Sequence, residues 1–315
     1  MTVSIVDPDK HQNELTSLMY NEVHALLISM SSLPNNQRAL VAIVTGSSGG
    51  IGLAISLALA RHGYLTYATM RNLTKRDPIQ SVADKQHLPI RTVQLDVTDE
   101  NSINKAIHSI LSETGRIDLL VNNAGYGLTG AFEDIGLDEI KAQYETNFYG
   151  VVRVTQAVLP IMRKQGSGRI INISSGAGRF GYPGGSAYVS SKFALEGLTE
   201  SMGYELEQFG IKVVLVEPGV VRTNFGDNMI IAQKAQDPSS PYSQMMQKIS
   251  SIRGRMIENA SDTELVATVV VEAATSKEPN LRYLVGKDVQ QMVAAKKSMS
   301  DQEFQRMIKQ GVKDT

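Results

Sequence analysis

Tyr188 and Lys192 are the residues whose types and spacing most directly suggest chemistry. They stand in Tyr188-Val189-Ser190-Ser191-Lys192, and a four-residue step along a helix puts both side chains on one face. An ammonium beside a phenol favours the phenolate, so Lys192 is expected to pull the tyrosine below its usual pKa of about 10. A phenol tuned in this way can exchange a proton with an alcohol or a ketone near neutral pH. Two hydroxyls, Ser174 and Ser175, lie just upstream. Tyrosine–lysine pairs at this spacing also occur by chance on solvated helices, so the rest of the chain must decide.

A second constellation sits near residue 45. The apolar run Ala39–Val44 suits a buried parallel strand. Thr45-Gly46-Ser47-Ser48-Gly49-Gly50-Ile51-Gly52 follows, and Leu53–Ala60 then reads as a helix. Strand, glycine turn and helix start together make a phosphate site, because glycines admit a close backbone approach and a helix N-terminus offers free N–H groups. The spacing is Thr-Gly-x-x-x-Gly-x-Gly rather than Gly-x-Gly-x-x-Gly. The same turn contains Gly46-x-Ser48-x-Gly50, which matches a hydrolase nucleophile elbow. A hydrolase also needs a downstream histidine in a catalytic loop. His62, His87 and His108 read as a helix end, a connecting segment and a mid-helix position, so that reading is set aside.

With these motifs in order, the chain resembles the short-chain dehydrogenase/reductase family from about Ala39 to Leu284. The residues that carry the resemblance are Thr45-Gly46, Gly50-Ile51-Gly52, Asp96-Val97, Asn122-Asn123-Ala124-Gly125, Asn147, Ser175, Tyr188 with Lys192, and Pro218-Gly219. Ser240-Pro241-Tyr242 and Leu281–Gly286 look like the branch holding hydroxysteroid and retinol dehydrogenases. The resemblance implies hydride transfer between a nicotinamide cofactor and a carbonyl or alcohol. It implies Tyr188 as acid/base, Lys192 as its tuner and ribose holder, Ser175 as donor to the substrate oxygen, and Asn147 as holder of a proton-relaying water. Cofactor contacts are implied for Gly46, Ser48, Gly50, Ile51 and Gly52 at the pyrophosphate, and for Asp96 and Val97 at the adenine. Further contacts are implied for Asn123, Ala124 and Gly125 near the ribose, and for Pro218, Gly219 and Thr223 at the carboxamide, besides Tyr188 and Lys192 themselves.

An acidic residue about 20 positions beyond the glycines commonly selects NAD in dinucleotide folds. Here the second strand ends in Thr69-Met70-Arg71, with no carboxylate. A guanidinium matches a 2′-phosphate, so NADP(H) is expected, with an NAD(H)-preferring enzyme as the alternative. Gly49 departs from the basic residue that NADP-preferring members often carry in the turn. Two further readings compete. A regulatory, non-enzymatic NADP-binding protein would be expected to lack Tyr188, Lys192 or Ser175. A lyase or epimerase of the extended branch would carry a different glycine spacing.

Further strands are expected at Tyr64–Thr69, Ile90–Leu95, Ile117–Asn122, Arg169–Ser174 and Lys212–Glu217, with helices between them, including Asn101–Glu113 and Ala187–Phe209. This alternation implies an α/β fold, a Rossmann-like doubly wound parallel sheet in a single domain. Residues 1–38 read as a helical extension and linker, 39–290 as the NADP-binding catalytic domain with its substrate segment at about 220–262, and 291–315 as a helical tail. That substrate segment is rich in methionine and isoleucine, which suits an apolar carbonyl or alcohol. Two long helices near Leu137–Lys164 and Ala187–Phe209 are expected to pair copies into a homodimer or homotetramer. The 315 residues carry a formal charge of −1 and no cysteine. Nucleic acid, disulfides and thiol catalysis are thereby excluded, no metal site is expected, and no apolar run reaches membrane-spanning length. The start does not read as a secretory signal, and a cytoplasmic protein is expected.

Overall fold

The computed structural model describes residues 39–223 and 229–313. The expected N-terminal helix, and Phe225 within the substrate segment, lie outside the described residues. Strands β1 (Val41–Val44), β2 (Leu65–Met70), β3 (Ile90–Gln94), β4 (Leu119–Asn122), β6 (Gly168–Ile173), β7 (Ile211–Pro218) and β9 (Arg282–Val285) form one sheet in the order β3-β2-β1-β4-β6-β7-β9. Every neighbouring pair is parallel. β5 (Leu128–Thr129) and β8 (Ile230–Ile231) pair separately. β9, β5 and β8 were not expected as strands.

Alternation along the strands builds two cores. Ala42 and Val44 of β1, with Leu119, Ile171 and Val214, face helix α1 (Gly50–Arg61) and helix α8 (Thr263–Thr275). Val41 and Ile43, with Leu120, Ile170 and Val213, face α3 (Glu100–Thr114) and α5 (Gly150–Gln165). Burial on both faces explains the nearly unbroken apolar runs of the central strands. α2 (Asp77–Gln86) closes one edge over Met70 and Ile90.

The long helix expected over Leu137–Lys164 is interrupted. α4 (Leu137–Tyr144) runs into a π-helical turn at Glu145–Tyr149, from which α5 resumes. The wide turn carries Asn147 inward, where its Oδ1 accepts from Tyr126 N at 3.1 Å and its Nδ2 donates to Tyr126 O at 2.9 Å. Local π turns of this kind often mark functional positions. The expected catalytic helix is α6 (Ser186–Leu206), tightening into a 3₁₀ turn to Phe209. α7 (Ser243–Glu258), α9 (Lys287–Ser298) and α10 (Asp301–Lys313) complete the described chain. No helix among the described residues is long and apolar enough to cross a membrane.

Candidate active site

The carboxyl ends of β1, β2, β4, β6 and β7 open onto one cavity of about 970 Å³. Ligands in open parallel sheets bind beyond these ends. Of the catalytic and cofactor-contact residues expected from sequence, all but Asn147 line this cavity. Asn147 is buried behind it, with its side chain committed to the Tyr126 main chain.

The β1–α1 turn, where a phosphate is expected, lines the cavity. Gly46 adopts φ +70°, and a side chain there would meet Ala124 Cα at 2.8 Å. A Cβ on Gly52 would run into Asn123 Nδ2 and Gly46 O. The two glycines therefore let the turn after β1 and the turn after β4 lie against each other. Thr45 Oγ1 ties them by accepting from Asn123 N and Ala124 N, both at 3.0 Å. Asn123 Nδ2 in turn donates to Thr45 O at 2.8 Å. The N-terminus of α1 carries no side-chain cap and no acidic residue in its first turn. Free N–H groups with a positive dipole end fit a pyrophosphate.

Where the adenosine is expected, Arg71 and Asp96 line the cavity, and so does Lys75, which sequence reasoning did not single out. Lys75 lies on a 3₁₀ turn, Leu73–Lys75, that follows β2. Its one sequence signal is that it follows Arg71 by four residues in the same loop. Neither cation forms an ion pair with a carboxylate among the described residues. Asp96 Oδ1 accepts from Thr98 N at 3.0 Å, and Asp96 N donates to Ser102 Oγ at 3.0 Å, which fixes that wall.

Helix α6 delivers Tyr188 and Lys192 to the same cavity. Tyr188 is hydrogen-bonded to Ser175, and Ser175 Oγ also accepts from Ala177 N at 3.2 Å. Ser174 Oγ is buried with no partner among the described residues, so Ser175 is the serine that meets the phenol. Lys192 Nζ donates to Ile173 O at 2.8 Å and stands 5.8 Å from the Tyr188 ring centroid. Burial lowers the ammonium to about 8, against an opposing pull from Glu196.

The expected direction for Tyr188 is corrected here. Burial pushes its hydroxyl up, while the Ser175 hydrogen bond and the charge of Arg253 pull it down. Desolvation of the phenolate outweighs both, and Lys192 is not among the groups that shift it. Its ammonium is turned to the Ile173 carbonyl.

Behind the pair lies an ion cluster. Arg179 Nη1 donates to both Glu217 oxygens at 3.1 Å. Arg282 Nε donates to Glu196 Oε2 at 3.1 Å, and its Nη2 donates to Glu200 Oε2 at 2.6 Å. Glu217 is fully buried, and burial together with Glu196 pushes its carboxyl up to about 7. Asp288 Oδ2 accepts from Val220 N at 2.7 Å and Gly219 N donates to Val285 O at 2.9 Å, so β9 and α9 hold the Pro218–Val220 turn at the cavity rim.

The chain is similar to known proteins over most of its length. A family profile described as short chain dehydrogenase matches residues 40–234. The chain belongs to the short-chain dehydrogenase family. An oxidoreductase of Bacillus subtilis, YusZ, is 40% identical over 79% of this chain and 90% of its own. Human 17-beta-hydroxysteroid dehydrogenase type 1 is 35% identical over 77% of this chain and 76% of its own. A short-chain dehydrogenase structure from Streptomyces avermitilis superposes with a TM-score of 0.73, at 34% identity, over 82% of this chain and 92% of that one. A metagenomic short-chain oxidoreductase solved in complex with NADP gives 0.63 at 29% identity, over 79% and 97%. The protein is thus an oxidoreductase acting on CH–OH groups, on a Rossmann-like sheet, with a site for a nicotinamide dinucleotide.

Proposed function

We propose that the protein interconverts a ketone or aldehyde and an alcohol with NADP(H), using Ser175, Tyr188 and Lys192, with Asn147 behind them. The observation that carries this reading is that the Ser175–Tyr188 hydrogen bond and the glycine turn lie in one cavity. A bound nicotinamide cofactor supplies or accepts the hydride. In reduction, Tyr188 gives its proton to the carbonyl oxygen, and the raised pKa keeps it protonated for that role. Ser175 donates to the same oxygen and stabilises the charge that develops there. Lys192, with its nitrogen between Ile173 O and the Tyr188 ring, restores the proton and holds the ribose. Asn147 fixes the Tyr126 main chain along the cavity wall rather than offering its own amide. Arg71 and Lys75 favour NADP over NAD, and the NADP complex of the metagenomic relative supports the choice.

The substrate is a small molecule with an apolar body, taken up along the segment from Val220 to about Ala260, where Ile230 reaches the cavity. Leu137, Tyr149, Phe193 and Tyr204 are exposed on the helices expected to pair, which supports a homodimer or homotetramer. A screen of ketones and alcohols, followed by nicotinamide absorbance with each cofactor, tests the reaction. Tyr188→Phe is expected to lower turnover by about 10²–10⁴-fold with NADPH binding retained. A fully active Tyr188→Phe variant overturns the assignment.

A further inference from the structure

Two neighbouring residues, Asp288 and Val289, stand on the first turn of α9 and reach two separate turns of the cavity wall. Strands β7 and β9 end in register, with Pro218 paired to Val285. The next residue on each is a glycine, and a Cβ on either Gly219 or Gly286 would run into the Asp288 carboxylate. Gly286 also takes φ +114°, which a side chain would resist. The two strand ends thus leave the space that this carboxylate fills. Its Oδ2 accepts from Val220 N at 2.7 Å, while Gly219 N donates to Val285 O at 2.9 Å. The first turn of a helix also favours a negative charge.

Val289 meets the other turn. A Cβ on Gly176 would stand 2.6 Å from Val289 Cγ2 and 3.6 Å from Phe180 Cε1. Gly176 follows Ser175, whose Oγ caps this 3₁₀ turn by accepting from Ala177 N at 3.2 Å. Phe304 of α10 stands behind Phe180, edge to face, with ring centroids 6.0 Å apart. Val289 and Phe304 are both buried. The Ser175 turn is therefore packed against the two C-terminal helices, and a shift of α9 would be passed to it directly.

Both turns line the cavity, through Pro218 and Gly219 on one and Ser174 and Ser175 on the other. One is expected at the nicotinamide carboxamide and the other at the substrate oxygen. We infer that the first turn of α9 sets the span between the nicotinamide and the Ser175 hydroxyl, with Asp288 positioning the Pro218–Val220 turn and Val289 positioning the Ser175 turn. The inference rests on the proposed reaction and deepens it. Neither residue lines the cavity, so neither takes part in the chemical step. Their effect is on alignment, to which a transfer between two held groups is sensitive at the scale of 1 Å.

The test uses the full chain and its variants Asp288→Ala, Asp288→Asn and Val289→Ala. Binding of NADPH is set against binding of 2′-phospho-ADP-ribose, the same cofactor without its nicotinamide. Asp288→Ala is expected to weaken NADPH by about 3–10-fold, the worth of one hydrogen bond, and to leave 2′-phospho-ADP-ribose unchanged. Asp288→Asn keeps an acceptor of the same shape and is expected to restore NADPH binding, which controls for folding. Val289→Ala is expected to leave both affinities unchanged and to lower kcat by about 10–100-fold through lost alignment at the Ser175 hydroxyl. A general loosening of the fold would move both ligands in both variants, and that result overturns the inference. So does an Asp288→Ala protein that binds NADPH as the wild type does, or a Val289→Ala protein with unchanged kcat. The binding comparison needs no turnover. A fully active Tyr188→Phe variant therefore removes the proposed acid, while the response of NADPH to Asp288→Ala still decides the positioning of the nicotinamide.

Discussion

Replacing Arg71 by aspartate is expected to move the protein from NADPH toward NADH. Arg71 and Lys75 line the same end of the cofactor cavity, and both are exposed. Exposure keeps each contribution at the low end for a charge-assisted hydrogen bond, about tenfold in affinity for a 2′-phosphate. Arg71→Asp removes that factor and adds repulsion of the phosphate, a further loss of about threefold to tenfold through water. The new carboxylate can also accept from a ribose 2′-hydroxyl, a gain of about threefold to tenfold for NADH. Together these lower the NADPH-to-NADH ratio of kcat/KM by about 10²–10³-fold. Lys75→Ser alone is expected to cost NADPH about threefold to tenfold. Because both cations reach one phosphate, the double variant should depart from the product of the single effects. Steady-state kinetics with both cofactors on wild type and the three variants provides the measurement. A ratio unchanged in Arg71→Asp, or a wild type that prefers NADH, refutes the reasoning.

Gly52→Ala sets a methyl against Asn123 Nδ2 and Gly46 O. Melting temperature and NADPH affinity are expected to fall together, by about 1–3 kcal/mol for the overpacking, as read by thermal denaturation and cofactor titration. Lys192 is lowered from 10.5 to about 8. Between these values the unfolded chain binds a proton that the folded chain does not, so its contribution to stability rises with pH across the window. In cofactor-free protein, the stability difference between wild type and Lys192→Met is therefore expected to climb from pH 8 to pH 10 in urea titrations, and a flat difference counts against the buried ammonium. Phe193→Lys with Tyr204→Lys is expected to split the oligomer, and light scattering of the wild type as a monomer would remove the pairing proposal.

The strands that pack on both faces were legible because their residues are apolar almost without a break, as in Val41–Val44 and Leu119–Val121. The residues gathered around the one cavity were legible as a group because they stand at strand ends. β9 was not, since Arg282 and Tyr283 give it no apolar signature and its pairing partner lies more than sixty residues away. β5 and β8 are two residues each, too short for any period. The break at Asn147 follows from a hydrogen bond to Tyr126, which no local pattern reports. The pKa of Tyr188 went the other way because the depth of its hydroxyl and the aim of Lys192 are properties of packing.

The ion cluster around Arg282 bears on the order in which the chain can finish folding. Glu196 acts on Lys192 and Glu217 on Glu196, with two arginines for company, and Arg282 arrives 86 residues after Glu196. At about 5–20 residues per second, a ribosome delivers it some 4–17 s later. During that interval Arg179 is the one arginine of the cluster already made, and it pairs with Glu217 alone. Locking of the catalytic helix is thereby tied to the addition of the last strand. A nascent chain halted between Glu217 and β9 would hold the whole glycine turn and the Tyr188–Lys192 pair and still lack Arg282, the second cation of the cluster.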